Sequence, residues 1–478
     1  MKKILIGTLL LCIWHSIILV NQSWGINVLL FTIPLLGLIL SVLKEHKCIK
    51  NKAGLLLIIP ILVLSTSYFI YDNTWKYLNV LVLPFLYLLL YIFTMKPVKT
   101  IGDTIVEILN LMIKPLNSIG NFTKEGVKLI PVKTKGEKKK EKKSTKYIQS
   151  FLMILPIVIL VLVLLASADS IFGQLFQNLF SWKWKGISID EIFTRTIIFA
   201  SLFFYLGATL YFIGNHYLKE KRVKEEEKER EPLTINMLLI ILNVIYLIFD
   251  IIQINSLMLH RVSSGFNYAE YARSGFFQLM FISFINISIL LLSKKCKEQT
   301  KTKIMSIIMI LLTYIIIASS YLRMSLYEAA YGYTILRLGV YAILLTEAIL
   351  LVPTIYYVIN KKLNILNFYL VITIAIYTAI NCFSVDRVIA NNNIARYKRT
   401  GQIDLYYLQN TNYDNLNQLR ELYELIQEDD KIEQIDKDNL NIYIRHMDKR
   451  NEKTIFGYNL SKEEARKQTT WNEKEKRD

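Results

Sequence analysis

Eleven strongly apolar segments, each long enough to cross a bilayer, run through this chain and leave few folds open to it. Crossing the hydrocarbon takes about 20 apolar helical residues, with a working range of roughly 17 to 25. The segments are residues 4–20, 26–43, 53–71 and 78–94, then 148–168 and 192–217, then 233–255, 275–293, 304–322, 334–359 and 365–384. Strands of a membrane barrel would alternate polar and apolar positions over about 10 residues, whereas these runs are continuously apolar. The expected fold is all-α: a polytopic transmembrane helix bundle of about 11 spans, followed by a small helical extracytoplasmic C-terminal region.

Loop charge orients the bundle, because Lys and Arg near membrane segments are retained on the cytoplasmic side. Lys2 and Lys3 place the N-terminus inside. Every even-numbered loop is then basic: Lys44 to Lys52, the lysine-rich insert, Lys219 to Arg230, Lys294 to Lys303, and Lys361 with Lys362. An odd number of crossings puts the last ~90 residues outside. This divides the chain into an N-terminal four-helix membrane region (1–94), a basic cytoplasmic insert (95–147), a seven-helix membrane core (148–384) and an extracytoplasmic tail (385–478).

The net charge of +18 sits mostly in the inner loops, so the expected partner is the bilayer with its anionic inner-leaflet lipids, and not nucleic acid. Residues 133–146 are expected to lie along that surface. Ile101, Ile105, Ile108, Leu109, Met112 and Leu116 share one helical face and predict an interfacial helix over 101–116. A second is expected over 171–180, before Trp182 and Trp184. The N-terminal lysines, apolar run and Ser23-Trp24-Gly25 also resemble a signal peptide; bulky Trp24 and the apolar segment opening at Ile26 favour an uncleaved helical hairpin. Cys12 and Cys382 fall in membrane segments and Cys48 and Cys296 in inner loops, so no disulfide is expected. The sequence has no nucleotide loop, metal-ligand spacing or hydrolase motif, and no catalytic residue, cofactor or metal is expected.

Polar residues within and beside the spans carry the functional signal. Asn236, Asn243, Tyr246, Asp250 and Gln253 project onto roughly a 100° arc of the seventh segment. Asp at a helix centre costs about 2.5 to 3.5 kcal/mol on insertion scales, so this face should meet protein, a counter-ion or a water-filled cavity. Such a stripe either glues helices together or lines a functional cavity. His260, Arg261, Glu270 and Arg273 follow that segment, and Arg323 and Glu328 precede the tenth. Arg337, one turn inside the tenth, is expected to need an acidic partner, with Asp250 and Glu328 the candidates. Glu347, near the middle of the same segment, is expected to be a neutral structural hydrogen-bond donor, with a proton-relay role as the alternative.

The stretch Gly265-Phe266-Asn267-Tyr268-Ala269-Glu270-Tyr271-Ala272-Arg273-Ser274-Gly275 resembles the signature of a bacterial multi-pass membrane family known only as domain of unknown function forty-one seventy-three. Three further stretches agree with it in order: Leu165 to Phe172, the 323–337 region with Leu326-Tyr327-Glu328-Ala329-Ala330-Tyr331-Gly332, and Asp386 followed by Asn393-Ile394-Ala395-Arg396-Tyr397. The resemblance covers 148–427 and leaves the first four helices outside. It implies a bacterial cell-membrane protein without an assigned activity. Its motif residues Asp169, Tyr268, Glu270, Tyr271, Arg273, Arg323, Tyr327, Glu328 and Arg337 are the polar groups that topology places on the outer side. With Asp250 and Gln253 they form the expected outward-facing cluster.

In the tail, Leu416, Leu419, Leu422, Tyr423 and Ile426 recur at helical spacing after the capping candidates Asn412 and Asp414. Residues 405–408 are expected to pack beneath this helix, and the charged stretch from Ser461 to be loosely ordered. With little core of its own, the tail should rest on the outer face near the polar cluster. The first functional expectation is an envelope sensing or interaction component that works with an envelope or signalling protein. The alternatives are a transporter or permease with an outer cavity, and a membrane enzyme acting on lipid-linked substrates.

Overall fold

The computed structural model describes residues 2–46, 48–72, 74–95, 118–119, 121–123, 189–215, 233–254, 276–293, 300–360, 364–450 and 455–475. Among these residues there is no strand. The fifth apolar segment, both expected interfacial helices and the basic insert apart from residues 95, 118–119 and 121–123 lie outside them. The other ten apolar segments each carry a helix: α1 Lys2–Ile18, α2 Ile26–Glu45, α3 Ile58–Ile70, α4 Lys76–Met95, α5 Ile189–Asn215, α6 Leu233–Gln253, α7 Phe276–Ser293, α8 Thr300–Tyr331, α9 Ile335–Ile359 and α10 Ile365–Ile380. Polar helices follow: α11 Val385–Thr400, α12 Leu405–Gln409, α13 Leu416–Ile426, α14 Gln434–Arg450 and α15 Leu460–Glu475. Five of the described helices are long and apolar enough to cross a membrane, counting α3 with the 3-10 turn before it, or six if the bent pair α10–α11 is one span.

The chain divides into two compact units, Met1–Phe69 with Val82–Arg222 and Lys453–Tyr458, and Ile70–Leu81 with Val223–Glu452 and Asn459–Asp478. In the first, α1 packs on α2 and α5. Pro34 lies inside α2 and cannot donate to the Leu30 carbonyl one turn back. Trp14 Nε1 on α1 takes that acceptor at 3.1 Å, so the bond lost to proline becomes an interhelical one. Asn27 fixes the α1–α2 turn from within, donating to Ile18 O at 2.8 Å and accepting from Gly25 N at 2.8 Å.

In the second unit α8 is the central helix, packed against α6, α7 and α9. Leu239, Leu290, Met309, Ile310 and Leu351 are fully buried there. The ninth apolar segment ends at 322 in the sequence, yet α8 continues through Arg323 and Glu328 to Tyr331. Leu326, Ala329 and Ala330 favour continuation. Gly332, at φ +85°, stops the helix in the left-handed region where only glycine is unstrained. What reads as a long loop over 323–337 is therefore about two and a half more helical turns, a tight corner and the start of α9. At the other boundary, α10 stops at Ile380, and α11 opens at Val385 behind Ser384, whose side chain caps Arg387 N, with a 62° bend between the two helices.

The tail has a larger core than its composition suggests. Leu408, Leu416, Leu419, Leu422, Ile426 and Leu440 are fully buried, with Ala465 of α15 closing the cluster. Each such aliphatic side chain contributes about 1.5–3 kcal/mol. Helix α13 presents the face that its spacing predicts, but Asn412 and Asp414 do not cap it: the N-cap is Asn415, without a side-chain bond. The stretch from Ser461, expected to be loosely ordered, is helical to Glu475, and Ser461 itself is buried. Of residues 405–408, Leu405 and Leu408 are buried while Tyr406 is exposed.

Candidate functional site

The 331–337 corner between α8 and α9 is gripped by side chains from the tail. Asn393 of α11 donates from Nδ2 to Tyr333 O and accepts at Oδ1 from Tyr333 N, both at 2.8 Å. Arg396, one turn along, spreads its guanidinium over three backbone carbonyls: Nε donates to Ala329 O at 3.0 Å, Nη1 to Gln402 O at 3.0 Å and Nη2 to Ala330 O. Ala329 and Ala330 sit in the last turn of α8, where carbonyls have no helical partner, so a cation that donates several bonds is well matched to them. Ile335 N, at the start of α9, donates to Tyr407 OH at 2.8 Å. A Cβ on Gly332 would stand 2.5 Å from Asn393 Oδ1, so the corner requires glycine for space as well as for φ.

A second grip holds the turn before α4. Asp386 at the first turn of α11 accepts from Thr74 N at 3.0 Å and from Thr74 Oγ1 at 3.2 Å, with Asn412 Nδ2 at 3.4 Å. Asp414 accepts from Asp72 N and from Ser384 Oγ, both at 2.6 Å. That is the physical reason Asp414 leaves α13 uncapped. Asp72 pairs with Lys76, and Lys462 Nζ stands 3.9 Å from it. Burial, with the neighbouring Asp414 charge, raises the Asp386 carboxyl to about 6 against the lowering effect of its donors. Burial also raises Asp414. The sequence singled out none of Asp72, Thr74, Asp386, Asn393, Arg396 or Tyr407 as site residues.

Of the expected cluster, the structure brings together Tyr327, Glu328 and Arg337. The Arg337 guanidinium lies over the Tyr327 ring, 4.4 Å from its centroid, and Nη1 donates to Gly332 O. Glu328 is buried beside the hydroxyls of Tyr333 and Tyr341 and feels the Arg337 charge, without an ion pair to it among the described residues. Arg337 is thus held by a carbonyl and a ring face, and Asp250 is not its partner. Arg323 is buried on α8. Desolvation, and then the Arg337 charge, lower Arg396. Asp169, Tyr268, Glu270, Tyr271 and Arg273 lie outside the described residues, as does the side chain of Gln253.

The α6 stripe divides in two. Thr302 Oγ1 donates to Asn236 Oδ1 at 2.6 Å, Asn243 Nδ2 to Met305 O at 2.9 Å, and Tyr246 OH to Asn286 Oδ1 at 2.8 Å. These three join α6 to α7 and α8 as interhelical bonds. Asp250 is different: it is 1% exposed, and neither carboxyl oxygen has a hydrogen-bond partner among the described residues. Glu347 on α9 is buried against Ser283 Oγ of α7. Among the described residues no group of three His, Cys, Asp or Glu could hold a metal.

A bundle without strands among the described residues, five of whose helices are long and apolar enough to span, with polar side chains bonded between helices, defines an all-helical membrane protein. Residues 58–422 match the model of a family described as a domain of unknown function, DUF4153, and the chain belongs to that family. The expectation of an unknown-function family holds, under the number 4153 where the quoted motifs suggested 4173. The match begins at residue 58, the first of α3, so α3 and α4, which the resemblance left outside, fall within it. No curated protein and no solved structure matches the chain.

Proposed function

We propose that the chain is a multi-pass protein of the bacterial cell membrane, N-terminus cytoplasmic, which presents its C-terminal helices outside the cell as a sensing and interaction surface. The observation that carries this reading is the double grip of the tail, by α11 and Asp414, on residues 72 and 74 and on the 329–335 corner, made mostly to backbone atoms. Backbone-directed bonds fix position as well as contact. A partner that shifts the tail must therefore move the ends of α8 and α9, which gives an outside event a route into the bundle. Basic loops on the cytoplasmic face would meet anionic lipid, and an envelope or signalling protein would receive the movement.

Two measurements test it. In wall-stripped cells, a membrane-impermeant maleimide should label Tyr406→Cys, placed at an exposed tail position in a Cys382→Ser background. Protection from the reagent would overturn the orientation. Purification from native membranes in mild detergent should retain a protein in stoichiometric amount; retention of only a small molecule or lipid-linked sugar would count against the interaction reading.

A further inference from the structure

Asp250 does not belong to the junction held by the tail, and the reading above makes no use of it. On α6 it stands one turn beyond Tyr246, whose hydroxyl is committed to Asn286; Asn286 Nδ2 in turn donates to Thr313 Oγ1 at 3.0 Å, and Thr313 to Met309 O at 2.6 Å. The Tyr246 and Thr313 hydroxyl protons and one N–H of Asn286 are spent within that string, and none of these bonds reaches Asp250. Asn243 Oδ1 on α6, and Ser306 Oγ and Ser319 Oγ on α8, are also buried without a hydrogen-bond partner among the described residues. Bonded levels therefore alternate with unfilled ones along the seam between the two helices. Counting 1.5 Å per residue from the Asn236–Thr302 contact, Asp250 lies about 21 Å along α6 and Ser319 about 25 Å along α8, at similar depth.

A carboxylate in hydrocarbon with neither donor nor counter-charge costs several kcal/mol, and insertion of even one such residue is selected against unless it binds something. The groups around it narrow what that is. A metal ion takes several oxygen ligands, whereas among the described side chains the polar pair nearest Asp250 on α6 and α7, Tyr246 and Asn286, is already bonded to each other. Tyr314, Tyr321 and Arg323 on the same half of α8 make no bond or ion pair to Asp250 among the described residues; α7 carries no titratable residue, and Glu347 of α9 is engaged by Ser283. We propose that Asp250 is a proton-binding site inside the membrane, loaded and unloaded through the α6–α8 seam. It makes the bundle a proton-responsive element, whatever the tail contacts.

Dicyclohexylcarbodiimide, an apolar reagent, tests this on the full chain in phosphatidylethanolamine–phosphatidylglycerol vesicles. A protonated carboxyl adds its O–H across one C=N bond, the proton passing to nitrogen, and the product rearranges to a stable N-acylurea; an ionised carboxylate has no proton to give. Mapped by mass spectrometry, the adduct should fall on Asp250 and decline at least about tenfold between about pH 5 and pH 9, as expected for a site that exchanges its proton in that range. The yield should be the same in sodium chloride as in choline chloride. Infrared spectra should show a protonated-carboxyl band that titrates in the wild type and is absent in Asp250→Asn. Absence of both adduct and titrating band, a yield that ignores pH, or protection by sodium, which would indicate a cation site, overturns the proposal. The adduct is located in the wild type, so the test does not depend on the variant folding.

Discussion

The side-chain amide of Asn393 closes a two-bond ring with the backbone of Tyr333, donating to its carbonyl and accepting from its N–H, both at 2.8 Å. One residue of α11 thereby satisfies the only two backbone polar groups of a residue in a corner where neither helix can reach them. Asn393→Ala leaves both groups without their partner at a half-buried site, at about 1–3 kcal/mol for each that water does not recover. Gly332→Ala should cost at least as much, through φ and through the clash with the same amide. Hydrogen exchange in full-length protein should show faster exchange across α11 and the 331–337 corner in both variants, with α6 and α7 unchanged. Protection equal to wild type would remove this corner from the docking account.

Arg396 offers a test of shape against charge. Its fork reaches Ala329 O, Ala330 O and Gln402 O at once, and Lys keeps the charge on a single ammonium that cannot span them. Arg396→Lys is expected to lose about 1–3 kcal/mol, measured by denaturant-dependent proteolysis of the tail. A Lys variant as resistant as wild type would mean that charge alone holds the end of α8.

Continuous apolar runs made the spans legible, since one-dimensional composition is what a bilayer selects on. The α13 face was legible for a similar reason: Leu416, Leu419, Leu422 and Ile426 repeat a helical period. The end of α8 was not, because Arg323 and Glu328 interrupt the hydropathy pattern without interrupting the helix; only Gly332 marks the stop. Asp72 carried no local signal and Asp414 only a misleading one, as a cap for α13, since the two meet across more than three hundred residues. Asp386, Asn393 and Arg396 stood within the resembling stretch, but as polar residues in a polar helix they had no periodicity to distinguish them. Asp250 was visible as an acid inside an apolar run; its lack of a partner needed the fold.

Acid should relieve the cost of burying an ionised Asp386, even though its bonds to Thr74 favour the carboxylate. Asp386 is raised to about 6 by burial and by Asp414, whereas an unfolded Asp titrates near 3.9. The folded state binds this proton more tightly, so the contribution is complete below about pH 3.9 and is lost as pH rises through about 6. Melting of the full chain, compared with Asp386→Asn across that window, should show wild type losing ground to the variant as pH rises, by on the order of 2 kcal/mol. Parallel curves, or a wild type that gains with rising pH, would show that the carboxylate is stabilised by its donors instead of strained by burial.

Ser283 sets a proton count that Glu347 must satisfy. Its single hydroxyl lies within bonding reach of both Met280 O, at 2.7 Å, and Glu347 Oε2. A carbonyl only accepts, so if the hydroxyl proton goes to Met280, the contact with Glu347 requires the carboxyl to donate. Gln can replace that donor with its amide. Glu347→Gln is therefore expected to stay within about 1 kcal/mol of wild type, while Glu347→Ala loses a hydrogen bond and leaves a void between α7 and α9, at about 2–4 kcal/mol. Thermal unfolding in detergent distinguishes the two. If Gln costs as much as Ala, the carboxyl is not serving as a neutral donor to Ser283, and the hydroxyl proton must point at Glu347.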